Sequence, residues 1–91
     1  MNRKSEQSWF TYLLRCKDQT LYTGITTDLT QRLHDHNFTA KGAKYTRGRR
    51  PVKLVYSEEF PSRATAARRE YQIKRLSRKE KEQLIQNSDQ H

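Results

Sequence analysis

The chain is short of acid. Ten Asp and Glu stand against 19 Lys and Arg, a formal net charge of +9. Cysteine is scarcer still: Cys16 is alone, which excludes an internal disulfide, and its apolar neighbours point to a buried structural thiol. No segment is apolar for long enough to span a bilayer, and the N-terminus lacks the apolar stretch of a signal peptide. A cytoplasmic location is the expectation. No basic helix carries the wide apolar face that a membrane surface requires, so a membrane partner is not expected. Only 32% of residues are hydrophobic, which limits the fold to a thin core. There is no internal repeat and no linker.

What remains is a chain of 91 residues, enough for one domain over 1–91, with a core of about 9–85 and mobile ends. A cation excess of this size repels itself in a compact state and persists where an anion neutralises it. Phosphate backbones do this best, since each neutralised phosphate releases a counterion. The expected partner is a nucleic acid.

Trp9 to Cys16 is rich in aromatics, with apolar groups on both alternating faces, as in a strand covered on both sides. Lys17-Asp18-Gln19-Thr20 reads as a turn and Leu21 to Thr26 as a second strand, making an antiparallel hairpin. Asp28 as N-cap with Gln31 three residues on opens a helix running to about His36 or Asn37. Residues 38–51 read as a loop. Val52 to Phe60 is a third strand, with Val52, Leu54 and Tyr56 on one face. Ser62 caps a long helix, and Ser77 to Glu80 forms a capping box that opens a short last one. The tail from Gln86 is expected to fray. The order β-β-α-β-α-α predicts an α+β fold, a three-stranded antiparallel sheet flanked by helices.

Several polar residues fall where a fold alone does not ask for them. Leu29 and Leu33 define the apolar face of the first helix, and Arg32 and His36 lie in the same arc. Arg32 as a snorkelling side chain and His36 at the core's edge are the bland alternatives. On the long helix Glu70 shares a stripe with Ala66 and Ile73, where a carboxylate needs a cationic partner or a metal. Tyr12 and Tyr22 occupy the two hairpin strands and can share one face; packing is the simpler account. Gly24 marks a place where something approaches the strand closely. Lys41, Lys44, Arg47, Arg49 and Arg50 surround Tyr45 with no acid among them, which suits a phosphate backbone with a base to stack.

This constellation resembles the GIY-YIG nuclease domain over residues 9 to 85. Phe10-Thr11-Tyr12 stands at the first motif, keeping only its tyrosine, and Tyr22-Thr23-Gly24 at the second, keeping both ends. Arg32, His36 and Glu70 fall at the family's arginine, histidine and metal-binding glutamate. Leu21 to Thr27 and Gly42 to Arg47 are similar to the small, stand-alone bacterial branch. A structure-specific endonuclease that cuts branched DNA shares a similar loop. Many members carry an asparagine after the glutamate helix; only Asn87 is available here.

The resemblance implies phosphodiester hydrolysis with one divalent metal, Mg²⁺ or Mn²⁺, on Glu70. It implies Arg32 stabilising the transition state and Tyr22 as general base, with Tyr12 or His36 accepting or orienting the proton. The substrate class is nucleic acid, DNA ahead of RNA, with a role in repair or recombination. Two rivals stay open: a binding module for DNA or RNA that cuts nothing, and a subunit that needs a protein partner to recognise its substrate.

Overall fold

The computed structural model describes residues 7–88, among which lie three strands and four helices. The hairpin strands are β1 (Trp9–Arg15) and β2 (Leu21–Thr26). After them come α1 (Leu29–Phe38), the short α2 (Lys44–Arg47), β3 (Lys53–Phe60), α3 (Arg63–Lys74) and α4 (Arg78–Ser88). The sheet is antiparallel in the order β2-β1-β3, so β1 is central. Thr11, Tyr12, Leu13 and Leu14 are accordingly all buried, as a strand covered on both faces requires.

The core divides across the sheet. Tyr12, Leu14, Cys16 and Val52 form one cluster, closed by Tyr22 and by Leu29 and Leu33 of α1. Leu13 meets Ile73 of α3 and Ile85 of α4 on the other side. The Thr11 hydroxyl, fully buried, donates to the carbonyl of Ala66 at 2.7 Å and fastens α3 to β1. Bidentate Arg15–Glu82 bonds of 2.8 Å hold α4 to the same face.

Local chemistry sets the element ends. In the turn, Gln19 takes φ 71° while Asp18 accepts from the backbone and hydroxyl of Thr20. Asp28 caps α1 through the Gln31 amide, but the Gln31 side chain runs forward to Asp35, so the expected capping box is only half made. Ser62 accepts from Thr65 N–H, and the Ser77–Glu80 box is complete in both directions.

Four expectations change. Residues 44–47 of the expected loop form α2, a single turn too short to show a periodic pattern. The β1–β3 register slips between Leu13 and Leu14, with Tyr56 opposite Leu13 and Leu54 opposite Leu14. This bulge inserts Val55 as an extra residue, so Leu54 and Tyr56 face opposite sides instead of sharing one. Helix α1 runs on to Phe38. The tail does not fray from Gln86: α4 continues to Ser88, carrying an exposed Asn87. The mobility expected of the extreme ends lies outside the described residues. No helix among those described is long and apolar enough to cross a membrane.

Candidate active site

The hairpin register puts Tyr12 opposite Gly24 and Tyr22 opposite Leu14, so both phenols emerge on the face covered by α1. Gly24 matters because it is bare. A Cβ there would sit 2.5 Å from Tyr12 Oη and 3.1 Å from a ring carbon of Tyr22. Its absence lets the Tyr12 ring lie across β2, with the two phenol centroids 6.4 Å apart.

His36 completes the group from the last turn of α1. Its ring meets Tyr12 and Tyr22 edge-on at 5.9 and 5.2 Å, and Nε2 lies 2.9 Å from Tyr12 Oη. The residue is fully buried, deeper than the edge of the core. Burial pulls its imidazole down to about 4; the charges of Arg32 and Arg50 reinforce this and Asp35 opposes it. His36 is therefore neutral near pH 7. Between about 4 and the unfolded value near 6.5, the unfolded chain binds more protons, so stability rises with pH across that window. The contribution, about 3 kcal/mol by linkage, is complete above 6.5 and lost as pH falls through 4. Denaturant unfolding across that range should register the loss, and His36→Gln should flatten that part of the profile.

Arg32 lines a cleft with Tyr12, Leu14, Leu29, Leu33 and Leu54, and donates from Nη1 to the Lys41 carbonyl at 2.8 Å. It does not simply snorkel, since its guanidinium lies beside Tyr12. Burial pushes the Tyr12 phenol up to about 12; the hydrogen bond and charge of Arg32 pull the other way, while Tyr22 and Glu70 add to the rise. Glu70 thus stands close enough for its charge to reach Tyr12, although α3 packs on the far side of the sheet, against β1 and β2. The Glu70 side chain is 23% exposed and pairs with Lys74 at 3.3 Å. A pair of this i,i+4 type, with Lys74 more than half exposed, contributes about 0.3–0.5 kcal/mol, too little to hold the carboxylate against a better partner.

The cationic segment separates into two groups. Lys41, Lys44 and Arg47 are exposed, with only Arg47 bonded, to the Ala40 carbonyl at 3.2 Å. Arg49 and Arg50 are engaged within the fold. Arg49 covers the Tyr45 ring at 4.0 Å, bonds the Tyr45 carbonyl and pairs with Asp18 at 3.0 Å. Arg50 donates to the carbonyls of Asp35, His36 and Thr39, the open C-terminal end of α1. Of the five cations expected to meet a phosphate backbone, Lys41, Lys44 and Arg47 stay exposed, while Arg49 and Arg50 are taken up by contacts within the fold. Tyr45 is likewise no bare stacking platform: it lies under Arg49 and stacks on Tyr22, with centroids 5.9 Å apart. It braces Tyr22. Thr46, fully buried against His36, was not singled out from the sequence, because a lone threonine among cations carries no local signal.

The description of the GIY-YIG catalytic domain matches residues 8–83 of this sequence. The chain belongs to the GIY-YIG family. GIY-YIG proteins form a nuclease superfamily and generally use a divalent metal. A UPF0213 protein of Desulfotalea psychrophila is 52% identical over 82 residues, covering 90% of this chain and 74% of its own length. One from the archaeon Natronomonas pharaonis is 51% identical over 76 residues, covering 84% and 88% respectively. Two solution NMR structures share the fold. The UPF0213 protein of Bacillus halodurans matches with a TM-score of 0.56 at 51% identity, covering 87% of this chain and 83% of its own. A protein from E. faecalis matches with a TM-score of 0.62 at 40% identity, covering 99% and 92%.

The donor set fits the metal use of GIY-YIG proteins in one way. Among the described residues no three His, Cys, Asp or Glu side chains gather to cage an ion. Mg²⁺ does not need a cage: it keeps several waters and takes one or two carboxylates plus substrate phosphate. Glu70, half-buried and held only by a weak surface pair, is a carboxylate of that kind.

Proposed function

We propose that this GIY-YIG protein is a metal-dependent endonuclease that hydrolyses phosphodiester bonds in nucleic acid, DNA ahead of RNA. The observation that carries the reading is the Tyr12–His36 hydrogen bond, with Tyr22 against both rings and Arg32 in the adjoining cleft. Glu70 would hold Mg²⁺ or Mn²⁺, which when bound supplies positive charge to the leaving 3′ oxygen. The remaining donors of Arg32 face charge that develops on the phosphorus oxygens, a task suited to a fixed guanidinium.

The two tyrosines take different roles. With a value of about 12, roughly one Tyr12 in 10⁵ is ionised at pH 7, so it stays a neutral phenol hydrogen-bonded to His36. Tyr22, partly exposed and braced by Tyr45, is the phenol that meets the attacking water as general base. Lys41, Lys44 and Arg47 form the cationic rim that holds the backbone. A second reading, a binding module that cuts nothing, has the Glu70–Lys74 pair in its favour.

Purified protein incubated with branched, single-stranded and duplex DNA, and with RNA, decides between them. Cleavage should require added Mg²⁺ or Mn²⁺. It should fall by about 10²-fold or more in Tyr22→Phe and to background in Glu70→Ala. Cleavage that ignores both substitutions would identify a contaminant and sink the proposal. Absence of cleavage, with log affinity falling linearly in log salt, would establish the binding module.

A further inference from the structure

The Tyr12–His36 bond does not by itself say which ring nitrogen carries the proton. The far side of the ring does. Nδ1 lies 2.9 Å from Thr46 Oγ1, and that hydroxyl lies 2.9 Å from the Ala43 carbonyl, which can only accept. A hydroxyl has one proton to give. Given to Ala43 O, it leaves Thr46 Oγ1 free to accept from Nδ1–H; Nε2 is then bare and receives the Tyr12 proton.

The reverse arrangement has Thr46 donating to Nδ1 and Nε2–H donating to Tyr12 Oη. It leaves the Tyr12 hydroxyl proton without an acceptor among the described residues, in a side chain only 2% exposed. The neighbouring Arg32 offers donors alone. An orphaned buried hydroxyl is costly. One contact favours the reverse, the Ala43 amide toward Nδ1, but at 3.4 Å it is weaker than either 2.9 Å bond.

We propose that Thr46 is a positioning residue of this site, whose hydroxyl holds His36 as the Nδ1–H tautomer and so makes Tyr12 a donor to Nε2. The consequence for catalysis rests on the nuclease reading; the tautomer does not. With its proton turned inward, Tyr12 presents its oxygen lone pairs toward Arg32. The helical turn α2 thereby gains a purpose: it carries Thr46, fully buried, from the cationic segment to the back of His36.

The test is ¹⁵N NMR of the imidazole rings of the free protein near neutral pH, with the His36 signals assigned by their absence in His36→Gln. The wild type should show Nδ1 protonated and Nε2 bare. Thr46→Val should exchange the two states, since the Ala43 amide is then the one donor left facing Nδ1, and Thr46→Ser should restore the first. Cleavage by Thr46→Val should fall on the order of 10- to 100-fold in kcat with little change in KM, and recover in Thr46→Ser. A wild-type ring protonated on Nε2, or a folded Thr46→Val with the tautomer unchanged, overturns the proposal. If Thr46→Val does not fold, the wild-type and Thr46→Ser spectra decide alone. If no substrate is cut, the spectra still decide the role of Thr46, and only the nuclease reading falls.

Discussion

A chain carrying Gly24→Ala is expected to lose the proposed cleavage altogether and to melt well below the wild type. The added methyl would lie 2.5 Å from Tyr12 Oη and 2.7 Å from Cζ, distances at which something must move. Tyr12 has no easy retreat. Its ring is 2% exposed and packed among Leu14, Cys16, Val52, Leu29 and Leu33. Overpacking of this sort costs about 1–3 kcal/mol, which for a chain of this size lowers the melting temperature by about 4–24 °C. The hydroxyl that must give way is the one bonded to His36, so the damage falls on the chemistry as well. Circular-dichroism melts and a cleavage assay on the same preparation measure both effects. A Gly24→Ala protein that cuts at the wild-type rate would show that the Tyr12–His36 bond is dispensable.

Arg50→Ala is the larger test of stability. One guanidinium serves three carbonyls at the end of α1, where a helix runs out of amide partners, although that of Asp35 also accepts from Thr39. Hydrogen bonds to a charged donor contribute about 1.5–3 kcal/mol each, and water recovers some of that at a partly buried site. We expect a loss of about 3–5 kcal/mol in denaturant unfolding. Arg50→Lys should recover only a fraction, because an ammonium is a point charge without the planar fork. Substitutions at Lys41, Lys44 or Arg47 should do the opposite, weakening nucleic-acid binding while leaving the melt in place. An Arg50→Ala protein that melts normally but binds poorly would return Arg50 to the binding surface.

How far the sequence revealed these features depended on the range of the signal. Caps were legible because an Asp28, Ser62 or Ser77 acts on an amide two or three residues away. The shared face of Tyr12 and Tyr22 followed from strand alternation and a short turn. The bulge at Val55 was not legible, because alternation assumes that no residue is inserted. Arg50 looked like its neighbours in a basic run; only the fold shows that the end of α1 stops beside it. Thr46 was hidden for the same reason, ten residues from the histidine it touches. Glu70 stood out because a carboxylate on a helix's apolar stripe is anomalous in any fold, though the stripe could not foretell its partner, Lys74.

The β1–β2 turn has a reach that its exposed position conceals. Asp18 grips Arg49, the Lys17 amide bonds the Arg49 carbonyl at 2.9 Å, Arg49 lies on Tyr45, and Tyr45 lies on Tyr22. Hairpin tips are ordinarily where chains accept inserted residues, tags and length variation without complaint. This one is the anchor point of a brace, and lengthening it would slacken a phenol that the turn itself never touches.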